Sequence, residues 1–321
     1  MTSLMTFPAL PTPGNADGQP RRTGVEIEFG DISQDEAAKI CQKEVGGQID
    51  CDETGCVLKN SEIGDIQIYL DTALRKSSST AIKKMGLELG GDIIPVELVS
   101  EPLDYRGLAL LDRVRAALRD HGAVGTHEGW LLGFGVHLNV EIVSDDSADI
   151  VRPLLAFALI EDWLRHENPI DASRRVLPFT APYPTDFVAR LCKAGPAADW
   201  RDVMRIYLDE TPSRNRGLDM LPIFEWLDAD AVHAAFKGKN SPRPAFHFRL
   251  PDCRINEPDW SLRDGWDTWC LVERIALDDA LLDRLSREWQ DHHGPITLIR
   301  ANWARRSEVI LRETVLEGAR S

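Results

Sequence analysis

The chain has 321 residues, of which 43% are hydrophobic, 28% charged and 7% aromatic; this balance excludes low-complexity and wholly disordered classes. A net charge of −15 repels a phosphate backbone, so nucleic acid is excluded as a generic partner, while metals, cationic groups and metal-complexed nucleotides remain. The longest apolar run, from Leu154 to Ile160, is far short of the roughly 20 residues that span a membrane, so no membrane partner is expected.

Residues 1–22 are rich in Pro, Gly, Thr and Asn without periodicity and predict a mobile tail. Pro8, Pro11 and Pro13 interrupt any apolar stretch there, so it does not read as a secretory leader. Residues 24–30 alternate as a strand, with Val25, Ile27 and Phe29 on one face and Glu26 and Glu28 on the other. A short helix is expected over 34–44, then two or three strands between 48 and 70 with turns at Gly46, Gly47, Gly55 and Gly64. Residues 92–100 predict a further strand. Residues 105–120 predict an amphipathic helix stopped by Gly122.

Residues 131–143 alternate again, and 153–167 predict a buried helix with Pro153 in its first turn. Between 168 and 244 short helical stretches at 186–193, 199–209 and 229–236 are separated by proline-bearing loops, which reads as an insertion or a lid. A last strand is expected over 243–250, and two helices over 264–290 and 300–318. No repeat or flexible linker divides the chain, so 23–321 is expected to form one α+β domain. The six cysteines (Cys41, Cys51, Cys56, Cys192, Cys253, Cys270) are too few for a disulfide scaffold. Cys51 and Cys56 lack a second pair to complete a zinc site. All six are expected as thiols of a cytoplasmic protein.

Several strands share one chemical bias. Glu26 and Glu28 leave the same face about 6.6 Å apart along their strand. His137 and Asn139 oppose Val136, Leu138 and Val140; His247 and Arg249 oppose Phe246, Phe248 and Leu250; Glu97 opposes Val96 and Leu98. In one sheet these would form a polar face, with helices on the apolar side. For one strand alone, a water-facing surface is the simpler reading. Four strands with the same bias favour a site. Acids gathered on one enclosed face cost several kcal/mol without a cation, and should strain a metal-free fold. Mg²⁺ suits carboxylate oxygens and phosphates.

Four segments carry a resemblance: Gly24-Val-Glu-Ile-Glu-Phe29, Val96-Glu-Leu-Val-Ser-Glu-Pro-Leu103, Gly135-Val-His-Leu-Asn-Val140, and Phe246-His-Phe-Arg-Leu-Pro-Asp252 with Asn256 and Pro258 after it. In order and spacing the chain resembles the amidoligases, relatives of glutamine synthetase and glutamate–cysteine ligase. The resemblance implies a glutamine synthetase-like curved antiparallel sheet whose open polar face binds ATP with Mg²⁺. By that resemblance Glu26, Glu28 and Glu97 are metal ligands, and His137 faces metal or phosphate. Arg249 contacts the transferring phosphoryl group, and Asn139 and Asp71 join it around the nucleotide.

Three positions depart from the family: Asn139 replaces the second His of His-x-His, His247 replaces a Glu, and Glu101 stands where Pro is common. With His247 as a metal ligand, Mn²⁺ joins Mg²⁺ as a candidate. Arg214 and Arg216 are candidates to clamp a substrate carboxylate, with a solvated loop as the plainer reading. His127, His292, His293 and the tryptophans are assigned no chemistry. No glycine-rich phosphate loop and no His-Glu-x-x-His motif is present. The expected activity is ATP-dependent amide formation through an acyl phosphate, on an amino acid, peptide or cell-wall-derived carboxylate and an amine. The rivals are a phosphotransferase on the same fold and a non-catalytic nucleotide-binding or scaffold protein.

Overall fold

A computed structural model describes residues 5–70, 95–126, 133–169, 180–293 and 300–316. Asp71 and His127, and the parts of the expected elements at 92–94, 131–132 and 317–318, lie outside them. The described residues form an α+β fold around one eight-stranded sheet, ordered β2-β3-β4-β5-β1-β6-β8-β7. Every neighbouring pair is antiparallel. β1 (Thr23–Phe29) lies between β5 (Val96–Ser100) and β6 (Val136–Glu141). On one side β2 (Gln48–Cys51), β3 (Gly55–Ser61) and β4 (Gly64–Leu70) form a meander; on the other stand β8 (Ala245–Phe248) and the two-residue β7 (Leu218–Asp219).

The alternating apolar residues form the core. Val25, Ile27, Phe29, Leu98, Val136, Leu138, Val140, Phe246 and Phe248 are all buried, each contributing roughly 1.5–3 kcal/mol by leaving water. Helices cover this face. Trp269 of α8 (Leu262–Leu277) sits 5.0 Å from Phe246 and 5.7 Å from Phe248, ring to ring, and Phe157 of α3 (Ser147–Glu167) is 6.0 Å from Phe248. Local signals set the helix starts. Ser33 and Glu36 close a capping box on α1 (Gln34–Val45), and Asp104 accepts the N–H groups of Arg106 and Gly107 at the start of α2 (Tyr105–Asp120).

Several expectations are corrected. α3 begins at Ser147, so Pro153 lies inside the helix. Burial of Ile150, Val151 and Leu154 outweighs the roughly 3 kcal/mol that an interior proline costs. The helix expected over 264–290 is two, because Asp278 ends α8 and caps α9 (Asp279–His292) by accepting the Leu281 N–H at 3.0 Å. The last helix, α10 (Arg300–Leu311), passes into a π turn, Arg312–Leu316.

The segment expected to be an insertion or lid is built into the core. It supplies α4 (Thr185–Ala194), α5 (Trp200–Glu210), α6 (Leu221–Leu227), α7 (Ala229–Ala235) and β7, and it buries Phe187, Val203, Tyr207 and Phe224 completely. Nor do residues 5–22 form a mobile tail. Phe7 and Leu10 are buried, the Trp266 indole N–H donates to the Pro8 carbonyl at 2.8 Å, and Arg21 makes a buried ion pair with Glu273. Long-range anchors override the composition there.

Cys51 and Cys56 face each other in the β2–β3 register with Cα atoms 4.1 Å apart and are joined by a disulfide, so they are not thiols. The other four cysteines are buried. Among the described residues no helix is long and apolar enough to cross a membrane.

Candidate active site

Strand register assembles the site. Glu28 lies opposite Glu97, Glu26 opposite His137, Asn139 opposite His247, and His247 opposite Asp219. Directly opposed residues in an antiparallel pair share a face, so one polar row crosses β5, β1, β6, β8 and β7. Arg249, one residue beyond β8, has the parity of His247 and donates its backbone N–H to the Gly217 carbonyl at 2.7 Å. The expected residues Glu26, Glu28, Glu97, His137, Asn139, His247 and Arg249 thus come together on one face.

Part of that face is enclosed: His137, His247 and Glu28 are buried, and Asp219 is wholly so, while Glu26, Glu97, Asn139 and Arg249 are partly exposed. Glu26 is the hub. Its Oε2 accepts the His137 Nδ1–H at 2.6 Å, and its Oε1 accepts from Asn139 Nδ2 at 2.8 Å. Burial would raise the Glu26 carboxyl, but the His137 hydrogen bond and the two imidazoles that face it outweigh burial and hold it well below its ordinary range. Burial dominates at His137, bringing it down to about 3 against the pull of Glu26. His137 is therefore a neutral imidazole with its hydrogen on Nδ1. Its bare Nε2 faces Glu28 Oε1 at 3.7 Å, while Glu28 Oε2 accepts the Gly135 N–H at 2.7 Å.

A lone pair facing a carboxylate is repulsive unless a cation stands between them. This occurs twice. The ligand atoms of Glu28, Glu97 and His137, and those of Glu26, His137 and His247, lie within 4.8 Å of one another. His247 Nε2 is buried without a hydrogen-bond partner, 3.8 Å from Glu26 Oε2. The residues fit a divalent cation on that orphaned nitrogen and on the donor set of carboxylates with imidazole. A third group of candidate ligand atoms, Asp35 with Cys51 and Cys56, is no equivalent, because both sulfurs are in the disulfide.

The arginines divide. Arg216 donates to Thr211 Oγ1 at 2.5 Å and to the Pro182 carbonyl at 2.7 Å, so its guanidinium ties loops together. Arg214 reaches the row but turns its Nε to Asp219 Oδ2 at 3.4 Å and donates to the Lys239 carbonyl at 3.1 Å. Arg249 donates to the Arg214 carbonyl. Burial lowers the Arg249 guanidinium from its ordinary value, against the raising effect of nearby acids such as Asp219 and Glu28.

Two residues of the site escaped the sequence. Arg243 donates to Asn139 Oδ1 at 2.6 Å and lies 3.8 Å from Glu26 Oε1. Asp219 meets His247 Nδ1 at 3.3 Å. The signal for Asp219 was a lone acid within the apolar run Leu218-Asp219-Met220-Leu221.

These contacts bear on the expectation that the acids strain the metal-free fold, for Glu26 is hydrogen-bonded by His137 and Asn139. Glu26→Ala strands the His137 and Asn139 donors and should lower stability by about 1–3 kcal/mol. A depressed carboxyl contributes stability above about pH 4.5 and loses it as pH falls through its lower folded value. The gap between parent and variant in urea titrations should therefore be widest at neutral pH and narrow in acid. A variant melting above the parent at neutral pH would support the strain reading.

One face of the antiparallel sheet thus gathers a row of acids, imidazoles and guanidiniums. Residues 19–271 match the family described as "Putative amidoligase enzyme", and this span holds the whole row. The chain belongs to that family. No curated protein matches it.

Proposed function

We propose that the protein is an ATP-dependent carboxylate–amine ligase with a glutamine synthetase-like sheet, working with Mg²⁺ or Mn²⁺. The observation that carries this reading is the pair of imidazole nitrogens, His137 Nε2 and His247 Nε2, each aimed at a carboxylate across a gap too wide for a hydrogen bond. The nucleotide, the cations and the roles below are part of the proposal.

A carboxylate is a poor electrophile. Transfer of the ATP γ-phosphoryl group to its oxygen gives an acyl phosphate and ADP; an amine then attacks the acyl carbon, phosphate leaves, and the amine proton is lost as the amide forms. A divalent cation, when bound, offsets phosphate charge and aligns the phosphoryl group. Glu28, Glu97 and His137 Nε2 would hold one such ion, while Glu26 keeps the His137 ring turned towards it. Glu26 and His247 Nε2 would hold a second, and the imidazole there favours Mn²⁺ over Mg²⁺. Arg249, desolvated and fixed, would stabilise charge on the transferring group. Asn139, held by Glu26 and Arg243, would sit beside the nucleotide.

The test is ADP release with Mg²⁺ or Mn²⁺ against pools of amino acids, peptides and cell-wall fragments, together with consumption of primary amine. The expected result is ADP formed in step with amine loss. ADP without amide would make the protein a phosphotransferase. No ADP and no thermal shift with ATP and either metal would make it a non-catalytic protein and overturn the reading.

A further inference from the structure

Asp219 is the most enclosed acid of the row, with no exposed side-chain surface. It stands on the two-residue edge strand β7. A carboxylate in such a place costs several kcal/mol unless its oxygens are occupied. Oδ1 accepts the Leu221 N–H at 3.0 Å, and Oδ2 lies 3.3 Å from His247 Nδ1 and 3.4 Å from Arg214 Nε. Arg214 alone does not explain the burial, because its side chain is 36% exposed and it also binds the Lys239 carbonyl. Two enclosed groups face it as well: His247, whose side chain is 2% exposed, and the buried Arg249 guanidinium, whose charge Asp219 favours.

An acid facing Nδ1 at that distance requires the hydrogen on Nδ1, since a bare nitrogen there would oppose the carboxylate lone pairs. Nε2 of the neutral ring is then the bare nitrogen, and it is the buried orphan facing Glu26 Oε2 at 3.8 Å. The same unit recurs one strand over: Glu26 accepts the His137 Nδ1–H, and His137 Nε2 faces Glu28 at 3.7 Å. Acid and imidazole thus alternate along the row, Asp219, His247, Glu26, His137, Glu28. Each acid behind a ring sets which nitrogen the ring presents ahead of it. The two ring centroids stand 5.2 Å apart, edge to face.

We propose that Asp219 is a positioning residue that fixes His247 in the Nδ1–H tautomer, so that its Nε2 lone pair is offered to a divalent cation beside Glu26. The inference rests on the divalent-cation reading above, and it gives a function to a segment otherwise read as packing. Carboxylates that orient a ligating histidine typically contribute about 10–100-fold in metal affinity.

The test combines long-range ¹⁵N–¹H NMR of the histidines in the metal-free full chain, at a pH well above the usual imidazole range, with calorimetric Mn²⁺ titration. In the parent, His247 should carry its hydrogen on Nδ1 with Nε2 bare. Asp219→Asn keeps the shape and leaves an amide oxygen for the Leu221 N–H. Its NH₂ group turned to Nδ1 moves the ring hydrogen to Nε2, and Mn²⁺ affinity should fall about 10–100-fold. Arg214→Met removes the exposed partner of Asp219 and should leave the tautomer as in the parent.

A parent with His247 in the Nε2–H form or as imidazolium overturns the role of Asp219. So does a cooperatively folded Asp219→Asn variant with unchanged affinity, or an Arg214→Met variant that switches the tautomer. The parent measurement decides even if Asp219→Asn does not fold. A parent that holds His247 in the Nδ1–H form but binds no Mn²⁺ overturns the cation reading instead.

Discussion

On the proposed ligase reading, Glu28→Gln is expected to lose about 100- to 1,000-fold in ADP release, with a matching loss of Mn²⁺ affinity. The variant keeps the backbone contact, because the amide oxygen replaces Oε2 as acceptor of the Gly135 N–H. The change falls on the other oxygen. Oε1 faces the bare Nε2 of neutral His137 across 3.7 Å, and an NH₂ group there donates into that lone pair. The substitution closes the gap with a neutral hydrogen bond and removes one negative charge from the Glu28–Glu97–His137 set. Losing several kcal/mol of charge stabilisation on a transferring phosphoryl group corresponds to that rate loss. Single-turnover ADP release and Mn²⁺ calorimetry on the same preparation check it. Near-parent turnover in a variant that binds Mn²⁺ normally would remove Glu28 from the ligand set.

Arg21→Met should be the most destabilising single substitution away from the site, by about 3–5 kcal/mol, because it strands a buried acid. Arg21 makes a two-pronged pair with Glu273, NH1 to Oε2 at 3.0 Å and NH2 to Oε1 at 2.8 Å, and donates to the carbonyls of Thr12 and Glu141. The side chains are 1% and 7% exposed. With the guanidinium gone, Glu273 keeps the Trp269 indole N–H at 2.8 Å and little else among the described residues. Urea midpoints measure the loss. Combining it with Glu273→Gln should recover part of the stability, since the stranded charge then goes too. A parent-like midpoint for Arg21→Met would return residues 5–22 to a dispensable tail.

The parts legible in the sequence were those that repeat. Period-two alternation put Glu26, Glu28, His137 and His247 on one side of their strands, and the register then aligned them. The helix over Tyr105–Asp120 was marked by its apolar stripe and by Gly122, whose φ of +96° suits a residue without a side chain. What was illegible depended on single long-range contacts. A strand as short as Leu218–Asp219 shows no period, so Asp219 was invisible until β8 lay beside it. Arg214 and Arg216 read alike, yet only packing decides that one faces Asp219 and the other a loop carbonyl. The proline-rich start read as disorder because composition records neither Phe7 against Trp266 nor Arg21 against Glu273. The break at Asp278 did leave a trace, since an acid before an apolar stripe is an N-cap signal.

During synthesis β1 emerges well before either strand that flanks it, because β5 and β6 follow only at Val96 and Val136. At roughly 5–20 residues per second, several seconds pass with Val25, Ile27 and Phe29 lacking a sheet partner. β7 and β8, which complete the row, come later still, and β8 pairs with β6 across a large sequence separation, the class of contact that slows folding most. A nascent chain halted ahead of Ala245 holds Glu26 and His137 on a half-built sheet, with the apolar underside of β6 lacking Phe246 and Phe248 beside it. Such a half-built chain exposes apolar surface and unpaired strand edges, the features that make partly folded chains prone to aggregation.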